Sequence, residues 1–290
     1  MNEDTFEISR EKFVNKAHSI GYLLFQLGKV SKADLERIVA LQAESNLRFG
    51  DAAIRLGLIK ESDIQQVLAL QFNYPYLEKS KSSFSEELVA AYEPFSKQVE
   101  VFRELRSQLI MGWFNKGFKS LAVLSCNSGE GASYVVANLA ILFSQLGERT
   151  LLIDANLRQP RQHQIFNVKD RKGLSDIIVS RAGLEKIHRL KEFNDLSILS
   201  AGTLPPNPQE LLNHAAFSDL MVQVIGQYDV VLVDTAPAKS LADAQPVVAC
   251  CGGALIVSKL HSTSMTDLKQ TRDQVLVAGA NLVGTVVNDF

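Results

Sequence analysis

From Phe118 onward, short aliphatic and β-branched runs alternate with helix-length segments. The runs are Leu121 to Cys126, Thr150 to Ile153, Leu196 to Leu199, Val230 to Val233, Ala254 to Val257 and Leu282 to Val287. They are mostly aliphatic or β-branched and lack a regular polar alternation, which is the pattern of strands buried on both faces. Strands of that kind, spaced by helices, imply a mostly parallel sheet covered by helices on both sides, an α/β fold. Gly131 to Gly147 has helical apolar spacing and ends on glycine. Asn207-Pro208-x-Glu210 reads as a capped helix start, with proline in the first turn and a glutamate able to reach back.

The chemistry sits where these strands end. Ser128-Gly129-Glu130-Gly131-Ala132-Ser133 lies between the first strand and its helix, with Tyr134 following. A glycine-rich turn there aims backbone N–H groups at one point, and the helix N-terminus adds positive potential, which suits a phosphate. Taken alone, such a turn can equally be ligand-free. Two further strand ends alter that balance. Leu151 to Arg158, LLIDANLR, sets Asp154 just past a buried strand, and Val230 to Pro237, VVLVDTAP, does the same with Asp234. Carboxylates at the carboxyl ends of parallel strands face the ligand crevice. With the Ser133 hydroxyl they can order Mg²⁺, directly or through its waters. Nucleotide phosphates are therefore expected over Ser128 to Tyr134, with Ser133, Asp154 and Asp234 around the metal.

The N-terminal quarter holds a repeat. Residues 19–42, SIGYLLFQLGKVSKADLERIVALQ, overlay residues 48–71, RFGDAAIRLGLIKESDIQQVLALQ, with seven identities in 24 positions. Each copy reads as a short helix, a glycine break and a second helix, with Asp34 and Asp63 at the start of the second. Tandem helical pairs of this kind bury one copy against the other. Residues 1–76 are expected as a helical domain, 77–95 as a linker and 96–290 as the α/β domain. Pro75, Pro94 and the Ser/Lys stretch Lys79 to Ser85 suggest the linker. A helix from about Ser96 to Phe114 follows it and carries Glu100-x-x-Arg103-x-x-Arg106, three charges at spacing that keeps them near one face. That spacing alone also fits a solvated face with internal ion pairs.

Several classes are excluded. Thirty Lys and Arg against 32 Asp and Glu give a net charge of -2, without the basic excess of a nucleic-acid binder. Three cysteines make no disulfide framework, and no metal-ligand spacing links them to the five histidines. His163 and His261 read as surface or cap residues, and Trp113 as a packing residue. The first residues, MNEDTFEISREKF, lack the basic and apolar regions of a signal peptide, and the longest nearly apolar stretch, Pro246 to Val257, is too short to span a bilayer. The expectation is a cytoplasmic protein, brought to a membrane only by a partner.

From about Ser85 to Phe290 the chain resembles the bacterial tyrosine kinases (BY-kinases) of polysaccharide export loci, most of all the cytosolic chain-length-determinant kinases. Ser128 to Ser133 matches their Walker A loop, Asp154 to Arg158 the Walker A′ motif and Asp234 to Pro237 Walker B. Pro205 to Leu212 and Ala242-Asp243-Ala244 match further family segments. The resemblance implies a P-loop NTPase-type sheet, ATP and Mg²⁺, and catalytic roles for Asp154, Asp234 and Arg158. It also implies subunit contacts through Glu100, Arg103 and Arg106, adenine near Asn288, and activation by the cytosolic segment of an inner-membrane polysaccharide co-polymerase. The repeat resembles the N-terminal domain of type II secretion and pilus assembly ATPases, some of which bind cyclic di-GMP. That motif opens with arginine, present at Arg48 but replaced by Ser19 in the first copy. Partner docking is therefore expected there, with cyclic di-GMP binding weak or absent.

The departures bear on chemistry. Ala132 stands where the Walker A loop usually has lysine, Cys126 opens the loop where a small residue is usual, and Asn156 replaces a usual second aspartate. Family members usually carry a C-terminal tyrosine cluster, whereas the last tyrosine here is Tyr228. A charged hydrogen bond contributes about 1.5–3 kcal/mol, so losing the lysine should weaken nucleotide binding roughly 10- to 100-fold. Two readings stay open: an active autokinase of an exopolysaccharide system, and a nucleotide-sensing scaffold with little turnover. A partitioning-type ATPase of the same superfamily fits less well, because it would not explain the Glu100 helix or the Pro-Pro-Asn-Pro segment.

Overall fold

The computed structural model describes residues 19–71, 77, 82–240 and 243–289, in two compact units divided after Tyr76. In the first unit, α1 (Ile20–Gln26) and α2 (Lys32–Ser45) form one repeat, and α3 (Phe49–Arg55) and α4 (Glu61–Gln71) the other. Ser31 caps α2, and Asp34 closes a capping box with it. Asp63 occupies the matching place in α4, where it accepts the Lys60 N–H at 2.9 Å and pairs with Lys29 at 2.7 Å. Leu24, Val30, Ile38, Ala52, Ala53, Ile59 and Val67 form the core. Of the repeat glycines, Gly21 and Gly50 pack tightly: a Cβ on Gly50 would come within 2.6 Å of Ile64.

The second unit is a seven-stranded sheet ordered β3-β4-β2-β5-β1-β6-β7. Its strands are β1 (Ser120–Ser125), β2 (Thr150–Asp154), β3 (His188–Arg189), β4 (Leu196–Leu199), β5 (Val230–Asp234), β6 (Gly253–Lys259) and β7 (Asn281–Asn288). All pairs are parallel except β3 with β4. The two-residue β3 is absent from the sequence-based expectation, being too short for any periodic signal. Successive β1 residues serve opposite cores, Leu121 and Val123 on one face and Ala122 and Leu124 on the other. That double burial is why the inner strands read as mostly apolar runs, whereas the edge strand β7 is partly exposed.

The helices here are α5 (Val89–Tyr92), α6 (Lys97–Gly112), α7 (Ala132–Ser144), α8 (Gln162–Ile165), α9 (Leu174–Ile178), α10 (Pro208–Leu212), α11 (Ala215–Gln227), α12 (Ala244–Cys251) and α13 (Met265–Val277). Ser96 caps α6 by accepting the Val99 N–H. At α10 proline takes the first turn, but Asn207 makes no side-chain cap, and its amide donates to Glu210 instead. Trp113 is a packing residue: its ring stacks on Phe118 with centroids 3.9 Å apart, and its Nε1 donates to the Ser120 carbonyl. Among the described residues, no helix is long and apolar enough to cross a membrane.

Part of the expected linker is built structure. Leu88, Ala90, Ala91 and Tyr92 are buried in the core beside α7. Asn138 of α7 accepts the Ala90 N–H at 2.9 Å and donates to the Glu87 carbonyl at 3.0 Å. Residues 82–92 thus form a strap on the α/β unit, because buried backbone here finds its partners on α7. Pro75, residues 79–81 of the Ser/Lys stretch, and Ala242 of the family segment lie outside the described residues.

Candidate nucleotide site

The parallel register brings the carboxyl ends of β1, β5 and β2 side by side and sets Asp154 directly opposite Asp234. The loop after β1 enters α7 through Gly129 and Gly131, whose φ values of +81° and +92° favour glycine. A cavity of about 190 Å³ opens over this turn, and Ser128, Gly129, Gly131, Ala132, Ser133 and Tyr134 line it with residues of the β2 and β5 loops. The Tyr134 hydroxyl accepts a hydrogen bond from Gln98 at 2.8 Å, and burial pushes its pKa up to about 12.

The Glu130 side chain departs from the expected phosphate cradle. It is 2% exposed, accepts both Asn127 nitrogens at 2.9 and 2.8 Å, and accepts the Thr263 hydroxyl at 2.6 Å. A carboxylate facing phosphates would repel them, and here it braces the loop from behind. The Asn288 amide donates to the Glu130 carbonyl at 3.2 Å, which places that residue against the same loop.

The two aspartates are both 0% exposed but differ in their hydrogen bonding. Asp154 Oδ2 accepts the Arg161 and Gln162 N–H groups at 2.9 Å each, and Oδ1 accepts the Asn156 N–H at 3.2 Å. Both of its oxygens are thus committed to shaping the loop after β2. Asp234 Oδ2 accepts the Gln162 amide at 2.7 Å, while Oδ1 is buried without a hydrogen-bond partner among the described residues. Burial, then the Asp234 charge, holds the Asp154 carboxyl well above the usual range. Burial raises Asp234 to about 6, opposed by the Gln162 and Ser133 side chains. An orphaned buried carboxylate oxygen beside a serine hydroxyl suits a hard cation such as Mg²⁺, whose charge or bound water would satisfy it.

Gln162 does not stand out in the sequence. It is 0% exposed, and its Nε2 also donates to the Ser133 carbonyl at 3.1 Å, so one side chain ties β5 to the glycine turn. Pro160, two residues before α8, signals a turn here, but nothing local identifies the partner of Gln162, which lies 72 residues on.

Other expected residues are placed differently. Arg158 pairs with the buried Asp243, with Nη2 3.1 Å from Oδ1, and does not line the cavity; the buried Asp154 and Asp234 do not line it either. Asn156 Oδ1 accepts the Gln159 N–H at 3.1 Å, so the residue in place of the usual aspartate builds a turn. Arg106 leaves the expected charged face: it is 9% exposed and donates to the Leu142 carbonyl at 2.8 Å, while Glu100 and Arg103 pair with each other nearer solvent.

A glycine turn at a helix N-terminus, with two strand-end carboxylates in a parallel sheet, defines a P-loop NTPase. The ParA family model, described as NUBPL iron-transfer P-loop NTPase, matches residues 118–289. The tyrosine-protein kinase YwqD of Bacillus subtilis is 30% identical over 213 residues, covering 73% of this chain and 90% of that one. A Klebsiella pneumoniae protein, whose name assigns it to tyrosine-protein kinases of the cps region, is 30% identical over 212 residues, which span 29% of its length. The kinase domain of Escherichia coli tyrosine kinase ETK superposes with a TM-score of 0.69 at 25% identity, covering 73% of this chain and 84% of that one. The chain belongs to the bacterial tyrosine kinase family, built on a ParA-type P-loop NTPase domain.

Proposed function

We propose that the α/β unit binds ATP with Mg²⁺ over Gly129 to Ser133 and acts as the tyrosine-kinase component of an exopolysaccharide system. In that role it controls chain length or polymerisation through phosphorylation and ring assembly with a membrane co-polymerase. The observation that carries the nucleotide reading is the fully buried Asp234, whose Oδ1 has no geometric hydrogen-bond partner among the described residues and whose burial-raised carboxyl pKa is opposed by the Ser133 side chain at the glycine turn. Bound Mg²⁺ would neutralise phosphate charge as it develops in phosphoryl transfer. The chain itself supplies backbone N–H groups at the turn, the Ser133 hydroxyl and the oriented Asp234. Asp154 holds the loop that carries Gln162, and Gln162 holds Asp234.

A second reading is a nucleotide-sensing scaffold, favoured by Ala132, which brings no cation to the cradle it lines. The helical unit supports partner docking. An apolar groove of about 260 Å³, lined by Ile20, Tyr22, Phe25, Leu35, Val39 and Phe49 among others, lies between its repeats, and Arg48 does not line it.

Incubation of the full chain with labelled ATP, Mg²⁺ and the co-polymerase's cytosolic segment tests both readings. Phosphotyrosine lost in Asp234→Asn supports the kinase, and Mg²⁺-dependent binding without transfer supports the scaffold. Nucleotide found elsewhere on the chain would refute both.

A further inference from the structure

Among the described residues, the cavity over the glycine turn is lined by a single cationic side chain, Arg161. We propose that Arg161 supplies the phosphate-binding cation that residue 132 does not, by leaving Glu87 for the β- and γ-phosphate oxygens when nucleotide binds. This rests on the nucleotide reading of the site and assigns the cation within it.

The backbone of Arg161 is fixed, since its N–H donates to Asp154 Oδ2 at 2.9 Å. Its side chain is 47% exposed and its Nη2 lies 2.7 Å from Glu87 Oε1, itself 38% exposed. Glu87 is held on the other side: its carbonyl accepts the Asn138 amide of α7. Two anchored backbones thus present an exposed ion pair at the rim of the cavity. Arg161 also acts on the site electrostatically, being among the groups that lower the Asp234 pKa. An exposed pair contributes little to stability. A guanidinium on phosphate can make two parallel charged hydrogen bonds in a partly water-excluded site. The exchange of partners is therefore downhill when the triphosphate arrives, and Glu87 is the competitor that holds the cation in reserve.

The opposite signs expected at the two ends of one ion pair make this testable. ATP and ADP titrations with Mg²⁺, by calorimetry on the full chain, should show Arg161→Gln weakening binding about 10- to 100-fold, with partial rescue in Arg161→Lys. Glu87→Gln should tighten it, by roughly 1.5- to 5-fold. Adenosine, lacking phosphates, should bind Arg161→Gln and the parent alike. Adding Ala132→Lys should rescue Arg161→Gln by a larger factor than it improves the parent. If Arg161 merely ties down the strap, both Arg161→Gln and Glu87→Gln break the same tie and weaken ATP alike, which overturns the proposal. So does an Arg161→Gln affinity within two-fold of the parent. Failure of the parent to bind ATP at all would instead overturn the reading of the site, and this assignment with it.

Discussion

Replacing Asp234 by asparagine should make the nucleotide-free protein more stable while abolishing its Mg²⁺-dependent nucleotide binding. Asp234 is fully buried, and burial lifts its pKa from 3.8 to about 6. A shift of about 2 units at about 1.4 kcal/mol per unit means the ionised carboxylate costs the fold roughly 3 kcal/mol at pH 7. The folded state holds this proton more tightly than the unfolded chain does. The Asp234 contribution to stability therefore falls as pH rises from about 4 through about 6, and Asp154, also held above the usual range, continues the fall at higher pH. Asparagine does not ionise, and its carbonyl can still accept the Gln162 amide that now reaches Oδ2 at 2.7 Å. Removing the charge also relieves Asp154, whose carboxyl the Asp234 charge helps to raise. For a unit of this size about 1 kcal/mol corresponds to roughly 2–4 °C, so Tm at pH 7 should rise by roughly 6–12 °C. The gain should shrink towards zero at pH 4, where the parent is protonated. Calorimetric melting of both proteins from pH 4 to 8, with chelator and no nucleotide, measures this. An Asp234→Asn variant no more stable than the parent at pH 7, or a gain equal at pH 4 and pH 7, would refute the reasoning.

Ala132→Lys should tighten ATP binding several-fold in a direct titration, and an unchanged affinity would mean that the phosphates do not need a cation there. Exchanging Glu100 for lysine and Arg103 for glutamate should shift oligomers towards monomer in sedimentation with only a small loss of Tm, because the exchange keeps opposite charges on the pair and Glu100 is largely exposed. An unaltered profile would return them to a solvated face. Gly253→Ala should lower Tm by roughly 2–12 °C, since its Cβ would come within 2.3 Å of the Trp113 ring and overpacking costs about 1–3 kcal/mol. A variant as stable as the parent would show that the ring can move aside. Calorimetry should find cyclic di-GMP binding weak or absent, and micromolar binding abolished by Arg48→Ala would overturn partner docking as the main role of the repeats.

The elements and the outline of the site were legible in the amino-acid sequence because both are written locally. Double-sided burial makes the run Val230 to Val233 apolar along its length, and a turn with φ near +80° to +90° at residues 129 and 131 favours glycine. Asp154 and Asp234 stood out because each follows such a strand. Their difference did not, since it depends on which N–H groups fold back onto which oxygen. Gln162, Arg161 and the strap at residues 82–92 became part of the site only in three dimensions. Gln162 meets Asp234 across 72 residues and Arg161 meets Glu87 across 74. Arg106 shows the same limit on a single helix, where spacing places it near Glu100 and Arg103 but packing against α7 buries it on the Leu142 carbonyl. Sequence carries periodicity and turn chemistry, which act over a few residues. Strand order, the partner of each buried polar atom and the exposure of each charge are decided when the parallel sheet brings distant segments together, because a buried group must find its partner wherever the chain has been folded to supply one.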